Sequence, residues 1–249
     1  MLSAIKAEAF RLGTLRSTLL YSILLTGALY GPPVLLVLFA RDGDSAISTG
    51  DLGQCAWIFL LVAVVFAGAS TVAEIRRGST SISFLTQPAR WTSFLARLIV
   101  ICVYLTGMYI VGLIAAIGVS SLHPEGVDLS GGGWAYMGLY LLQILFWAAI
   151  AMSLAVLTRS TAASVTIPMA WLLLIESLLS AVPISFFQSV AEWTPSNNWS
   201  LLLAQALSTS YSSPLVPHGV AEAVAAVGAT CIVFLGAGWY TYVKRDIPA

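Results

Sequence analysis

Glu176 is the side chain with the most chemical potential, because it is an acid well inside an otherwise apolar run. If that run crosses a membrane, the acid is costly there and marks a functional hypothesis by default. Helical rise would place it about 25 Å beyond Arg159, toward the outer face. Three roles stay open: binding a cationic part of a substrate, holding a hydrogen bond where two copies meet, or merely reaching the outer interface.

The other reactive groups are scattered. His123 and His218 lie far apart, each beside a proline, and their spacing does not suit a shared metal. The three cysteines lie in apolar stretches without a CxxC pair, and an odd number cannot form a closed disulfide framework. A membrane-embedded enzyme would need clustered His, Asp or Glu side chains, whereas Glu176 stands alone in its run. We therefore expect no catalytic residue, metal site or cofactor in this chain.

Composition indicates that lipid, not water, surrounds most of the surface. The chain has 249 residues, of which 59% are hydrophobic and only 9% are charged. Soluble domains are nearer half apolar and a quarter charged, so too few polar residues remain here to cover a water-exposed surface. The formal net charge of zero argues against a nucleic-acid binder, which would show a basic face.

Six apolar runs approach or exceed the roughly 20 residues that a helix needs to cross a bilayer. Strands of a membrane barrel would be shorter and would alternate in polarity, so we expect an all-α integral membrane protein forming one transmembrane domain over 1–249. The fifth run is the least regular, since it contains Glu176. The predicted spans are Leu19–Phe39, Leu52–Ala73, Phe94–Ser120, Trp134–Leu157, Ala162–Ala181 and Val220–Tyr242.

The basic residues predict the orientation. Six spans place ten of the eleven Lys and Arg residues on one side and only Arg41 on the other. The positive-inside rule then puts both termini in the cytoplasm. The opposite loops carry acids instead, namely Asp42, Asp44, Asp51, Glu125, Asp128 and Glu192.

Two segments outside the spans have helical patterns of their own. Residues 1–17 carry an apolar stripe with Lys6 and Arg11 off it, which predicts either an amphipathic helix on the membrane surface or merely a basic topogenic flank. Segment 183–217 is rich in proline, and within it we expect Phe186–Trp193 and Trp199–Leu207 each to form a short helix. The N-terminal stripe consists of Leu2, Ile5, Ala9 and Leu12.

The segment Glu74–Arg97 is too long for a tight turn and mixes four arginines with apolar and aromatic side chains. Its pattern predicts a short helix that is broken at Pro88. Such a helix, lying along the membrane in the cytosol, suits docking into a partner's groove. The alternative is an ordinary positively charged loop.

The order Glu74-x-x-Arg77-Gly78 … Leu85-x-x-Pro88-x-Arg90 resembles the ABC-2 type permeases of ABC exporters. Leu154–Ser164 is similar to that family's loop between spans four and five, and the N-terminal R-L-G-T-L-R-S-T and closing Lys244-Arg245-Asp246 resemble it as well. The resemblance covers the whole chain, including six spans, cytoplasmic ends and a length near 250 residues.

The resemblance implies a multi-pass permease of the bacterial inner membrane, with a hairpin of broken helices over 183–217 on the outer side, between spans five and six. It would pair with a second copy or a related permease above two cytosolic ATPase subunits, which would bind ATP and Mg. This chain has no G-x-x-x-x-G-K-[ST] phosphate loop, so the ATPase would be a separate polypeptide. The loop 74–93 would supply the coupling helix, with Glu74, Arg77, Gly78, Phe84, Leu85, Pro88 and Arg90 as ATPase-coupling residues.

The substrate class follows from the absence of polar residues suited to a hydrophilic channel, which favours a hydrophobic or amphipathic molecule such as a peptide antibiotic, drug or lipid. Two other functions remain open. A secondary transporter would show buried charges near the midplane and an internal repeat, and neither is visible in the sequence. A non-transporting regulatory membrane subunit is the other alternative.

Overall fold

The computed structural model describes residues 2–14, 16–40, 45–76, 90–129, 133–182, 184–206 and 219–244. Helices account for nearly all of this part of the chain. The elements are α1 (Leu2–Thr14), α2 (Arg16–Leu38), β1 (Ile47–Ser48), α3 (Thr49–Arg76), α4 (Arg90–Ser120), β2 (Val127–Asp128), α5 (Gly133–Thr158), α6 (Thr161–Ala170), a π-helical turn (Trp171–Ile175), α7 (Glu176–Ala181), α8 (Ser185–Glu192), α9 (Pro195–Ala206) and α10 (Val220–Lys244).

Six helical segments are long and apolar enough to cross a membrane, which confirms the six predicted spans. Each crossing is helical because lipid cannot satisfy exposed backbone groups. The chain is therefore a helical, multi-pass membrane protein. The segments are Ser17–Leu38, Thr49–Arg76, Trp91–Ser120, Gly133–Thr158, Thr161–Leu179 and Val220–Lys244.

Helix α5 is the central element of the bundle. In its most apolar stretch 72% of the residues are buried, against 11% in α10. A helix that is apolar on every side suits a fully enclosed position, and Ile144, Ala151 and Met152 have no exposed surface. Around it pack large buried side chains of α3 and α4, including Phe59, Phe66 and Leu105.

Small residues let neighbouring helices approach α3 and α5 closely. A Cβ built on Gly68 of α3 would lie 3.0 Å from Ser164 Oγ of α6, and one on Gly238 of α10 would lie 3.0 Å from Ser153 Cβ of α5. Close backbone approach at small residues is a common mode of helix packing in membranes. These contacts place the end of α3 beside the start of α6, and the ends of α5 and α10 together.

The N-terminal segment is helical over Leu2–Thr14, but the side chains of its predicted apolar stripe do not form one surface. Ile5 and Leu12 are half-buried, whereas Leu2 is 77% exposed. Ala4, which lies off the predicted stripe, is the buried residue of α1. Helix α1 therefore packs partly on the bundle, and its position at a membrane surface stays a prediction.

The segment after the fifth span contains two short helices, as predicted. Helix α8 starts one residue before the expected Phe186, and α9 starts four residues before the expected Trp199. The earlier start of α9 reflects Pro195, since proline is favoured in the first turn of a helix. Residues 207–218 lie outside the described part of the chain.

Two features of the backbone were not expected. The loops before α3 and after α4 form a parallel pair of two-residue strands, with Ile47 opposite Val127 and Ser48 opposite Asp128, which adds a minor β element to the all-α expectation. The fifth span contains the π-helical turn directly before Glu176. Such turns are uncommon and often accompany functional sites.

We expect Gly68→Val to destabilise the bundle by about 1–3 kcal/mol, because the new side chain overlaps Ser164 and Val165 of α6. Gly107→Val is the matched control, since Gly107 lies in α4 with nothing within 4 Å of a Cβ. The thermal midpoints of both purified variants in the same detergent test this. Equal midpoints would contradict the close approach of α3 and α6.

Candidate functional site

The main polar cluster of the bundle is built around Glu74 in the last turn of α3. Its side chain is buried, with 6% of its surface exposed. Glu74 Oε1 accepts a hydrogen bond from Arg11 of α1, and Glu74 Oε2 pairs with Arg97 of α4. A buried carboxylate needs such partners, because removal from water strongly penalises an unpaired charge. One acid thus connects three helices.

Arg97 is held by more than Glu74. It donates from Nη2 to the backbone carbonyl of Ser70 at 2.9 Å and from Nε to Thr71 Oγ1 at 3.2 Å. Both acceptors belong to α3, one turn before Glu74. Because the planar guanidinium offers donors in a fixed fork, these bonds fix Arg97 firmly against α3. The α3–α4 side of the cluster is therefore rigid.

The side of the cluster that faces α1 is more open. Arg11 is 32% exposed, and its Nη2 also lies 3.5 Å from Glu8 Oε2 one turn earlier in α1. A cavity of about 240 Å³ adjoins the cluster and is bordered by both acids and both arginines, together with Tyr21 and Ser70. Arg11 therefore connects α1 to the bundle at the edge of this cavity.

Only two of the predicted coupling residues, Glu74 and Arg90, lie in the described part of the chain. Glu74 is buried in the cluster, and Arg90 begins α4. Arg77, Gly78, Phe84, Leu85 and Pro88 lie in residues 77–89, outside the described residues, and so does the predicted coupling helix. The Glu74–Arg97 ion pair nevertheless joins the two helices that bracket residues 77–89.

Glu176 forms a second polar site, on the opposite half of the bundle. Glu176 Oε1 accepts hydrogen bonds from Trp171 Nε1 at 2.6 Å and from the backbone N–H of Ser196 at 3.1 Å. Ser196 lies in the first turn of α9, where helix N–H groups lack partners within the helix and a carboxylate is favourable. Glu176 thus links the fifth span to the short outer helix α9.

This geometry bears on the three roles predicted for Glu176. The carboxylate is buried within its own chain, so it does not simply reach an exposed interface. Its described hydrogen bonds hold Trp171 and α9 in place, which is a structural role outside the three expected. The π-helical turn begins at Trp171 and ends directly before Glu176. It therefore determines how these two side chains are oriented toward α9.

An apolar groove of about 770 Å³ opens between α4, α5, α9 and α10. Its walls include Cys102 and Cys231, which face it from α4 and α10. Because nearly all of its lining is apolar, the groove suits a hydrocarbon group and not a hydrated ion. Further lining residues include Leu142, Phe146, Trp199, Leu202 and Val227.

Among the described residues, no group of three His, Cys, Asp or Glu side chains could hold a metal ion. The chemistry of the clusters at Glu74 and Glu176 is electrostatic: one joins charges across three helices, and the other caps a helix.

Both acids stand out in the sequence, whereas the residues that pair with them do not. Arg97 is a basic residue inside the third predicted span, and Glu74 directly follows the second, Leu52–Ala73. Opposite charges at facing ends of consecutive spans are a usable pairing signal, because a hairpin brings those ends together. Arg11 and Ser196 gave no comparable signal, since 63 and 20 residues separate them from their acids.

We expect Glu176→Leu to destabilise the protein by about 2–3 kcal/mol, because it leaves the buried indole N–H and the Ser196 N–H without their acceptor. Glu176→Gln keeps a carbonyl oxygen at that place and should retain most of the stability. Thermal midpoints in detergent compare the two. If the glutamine variant is as unstable as the leucine variant, the carboxylate charge itself stabilises the site and the neutral-acceptor account is wrong.

Comparison of the chain with protein-family models and with curated protein sequences finds no match. The family resemblance therefore rests on the residues quoted for it.

Proposed function

We propose that this chain is the transmembrane permease subunit of an ATP-driven exporter. It works in the bacterial inner membrane with a second permease and two separate cytosolic ATPase subunits. ATP and Mg bind to those partners. The proposal rests on the ABC-2-like residue pattern, together with the six membrane-crossing helices.

The observation that carries the mechanism is the Glu74–Arg97 ion pair. It joins the last turn of α3 to the first turns of α4, and these two helices bracket residues 77–89, where the coupling helix is proposed. A push on that segment then reaches α3 and α4 as one rigid unit. Such rigid-body movement is how alternating access is achieved in many transporters.

The distribution of charge supports the proposed orientation. Arg11, Arg76 and Arg97 lie at one end of the bundle, where α1 meets α3 and α4, and Lys244 ends α10 beside them through Tyr242 and Phe94. Asp51 and Asp128 lie at the opposite end, beside the strand pair. With the positive-inside rule, the basic end faces the cytoplasm and the ATPase.

The substrate is proposed to be hydrophobic or amphipathic. The apolar groove between α4, α5, α9 and α10 supports this, because it is open at the protein surface and offers little polar surface. The two buried acids also support it: Glu74 is engaged by arginines and Glu176 by hydrogen-bond donors, so neither is arranged to attract a hydrated cation from water.

The test is to co-express this chain with the ABC ATPase that the proposal expects to be encoded beside it, co-purify the two in mild detergent, and measure ATP hydrolysis. Leu85→Asp should lower the ATPase retained by about thirtyfold, the size expected when a central interface anchor is lost. Leu122→Asp is the matched control, because Leu122 is 73% exposed in the turn that follows α4, at the opposite end of the bundle from residues 77–89.

Retention by wild type and by Leu122→Asp, with loss in Leu85→Asp, would support the permease function and the docking segment together. Absence of any ATPase bound to wild type would overturn the exporter proposal. A non-transporting membrane subunit would then be the better account.

A further inference from the structure

Helix α1 contacts the bundle through a narrow set of side chains. Ala4 is buried, and Ile5, Glu8, Arg11 and Leu12 are half-buried, all on one face of the helix. On the opposite face Phe10 is 77% exposed. A helix held by so few buried groups has little apolar surface to keep it in place.

Unfilled space lies on both sides of this contact. The cavity of about 240 Å³ beside Glu74 is polar in part, and a second cavity of about 270 Å³ lies between Ile5, Ala9 and Leu12 of α1 and Ile99 and Val103 of α4. Helix α1 packs mainly against α4 and makes little contact with α3. The Arg11–Glu74 ion pair is therefore the main specific connection between α1 and the end of α3.

Each of the two parts holds one acid and one base, although Glu8 of α1 also attracts Arg97 across the contact. Arg11 has Glu8 on its own helix, and Arg97 has Glu74 within the bundle. Arg11 and Arg97 also use different oxygens of Glu74. If α1 moved away, each part would keep one acid paired with one base, so no isolated charge would remain in the low-dielectric interior. The large cost of breaking a buried ion pair, which comes from the stranded charge, is thereby avoided.

We infer that Arg11 and Glu74 form a releasable latch, and that α1 is an arm that alternates between a docked and an undocked position on α3 and α4. The Glu74–Arg97 pair stays closed in both positions, because Ser70 and Thr71 hold Arg97 independently of α1. Docking of α1 therefore restrains the end of α3, which directly precedes the segment 77–89. The inference does not depend on the exporter proposal.

Hydrogen–deuterium exchange of the whole chain in phosphatidylcholine nanodiscs tests the latch. Arg11→Gln removes the cation and should raise amide exchange in residues 2–14 by about tenfold, the size expected for loss of a charge-assisted contact. Lys6→Gln is the matched control, because it removes a cation from the exposed face of the same helix. Arg11→Lys keeps a cation and should stay nearer to wild type.

The amides of α5 supply an internal reference. Unchanged exchange in residues 133–158, together with faster exchange in residues 2–14 for Arg11→Gln alone, would support the latch. Equal effects of Arg11→Gln and Lys6→Gln, or no effect of either, would overturn it. A parallel rise in α5 would also overturn it, since Arg11 would then stabilise the fold as a whole.

A second measurement reads docking directly. In a variant whose three cysteines are replaced by alanine, Ile5→Cys and Ile99→Cys place thiols on two walls of one cavity. Oxidative cross-linking of this pair should be slowed by Arg11→Gln and unaffected by Lys6→Gln. Equal cross-linking rates in both would contradict an arm governed by Arg11. Because neither experiment uses an ATPase, failure of the exporter proposal leaves the latch standing.

Discussion

The constraint on which the structure depends is that hydrocarbon offers no hydrogen-bond partner. Backbone groups must then be satisfied within each crossing, which makes the six spans helical. The same constraint applies to the two buried acids. Glu74 is compensated by two guanidinium groups, whereas Glu176 is compensated by an indole N–H and a backbone N–H. Each acid therefore fixes the elements that supply its partners.

The two ways of compensating a buried acid differ in which parts of the chain they hold together. At Glu176 the partners are neutral donors, one in the preceding turn and one in α9, so the site holds a short helix against the span that precedes it. At Glu74 the partners are charges on two separate helices. Charge-assisted bonds are stronger and depend on geometry, so the site holds three elements in register at one end of the bundle. The first arrangement shapes the chain locally, and the second links distant parts of it.

The spans could be predicted from sequence because length and continuous apolarity decide them, independently of which helices touch. The centrality of α5 was less visible, since all six runs are strongly apolar and burial depends on which helix is enclosed by the others. The π-helical turn at Trp171–Ile175 has no signal in an apolar sequence. Its position is explained by Glu176, whose Oε1 accepts hydrogen bonds from both Trp171 Nε1 and the Ser196 N–H. The two-residue strands are too short to give a period.

The sequence predicts the two acids of the candidate site but not the residues that pair with them. Glu74 was found through a sequence pattern, and Glu176 through its unusual polarity, but each partner lies on another element whose position depends on the packing. In the sequence Arg97 looks like the last basic residue of the loop Glu74–Arg97. In the structure it is largely buried and donates hydrogen bonds to Ser70 and Thr71. A charge within an apolar run is therefore better interpreted by asking which opposite charge a neighbouring span brings near.

The pairing of charges also explains how one end of the bundle can be well ordered while α1 remains able to separate from α3 and α4. A single buried ion pair resists separation, because either half would be left as an isolated charge in a poor solvent. Two acids and two bases, divided as Glu8 with Arg11 and Glu74 with Arg97, remove that obstacle. The contact between the two pairs then contributes specificity of docking, while each pair remains compensated on its own. An apolar contact of the same extent would lack this directional register, since the hydrophobic effect has no preferred geometry.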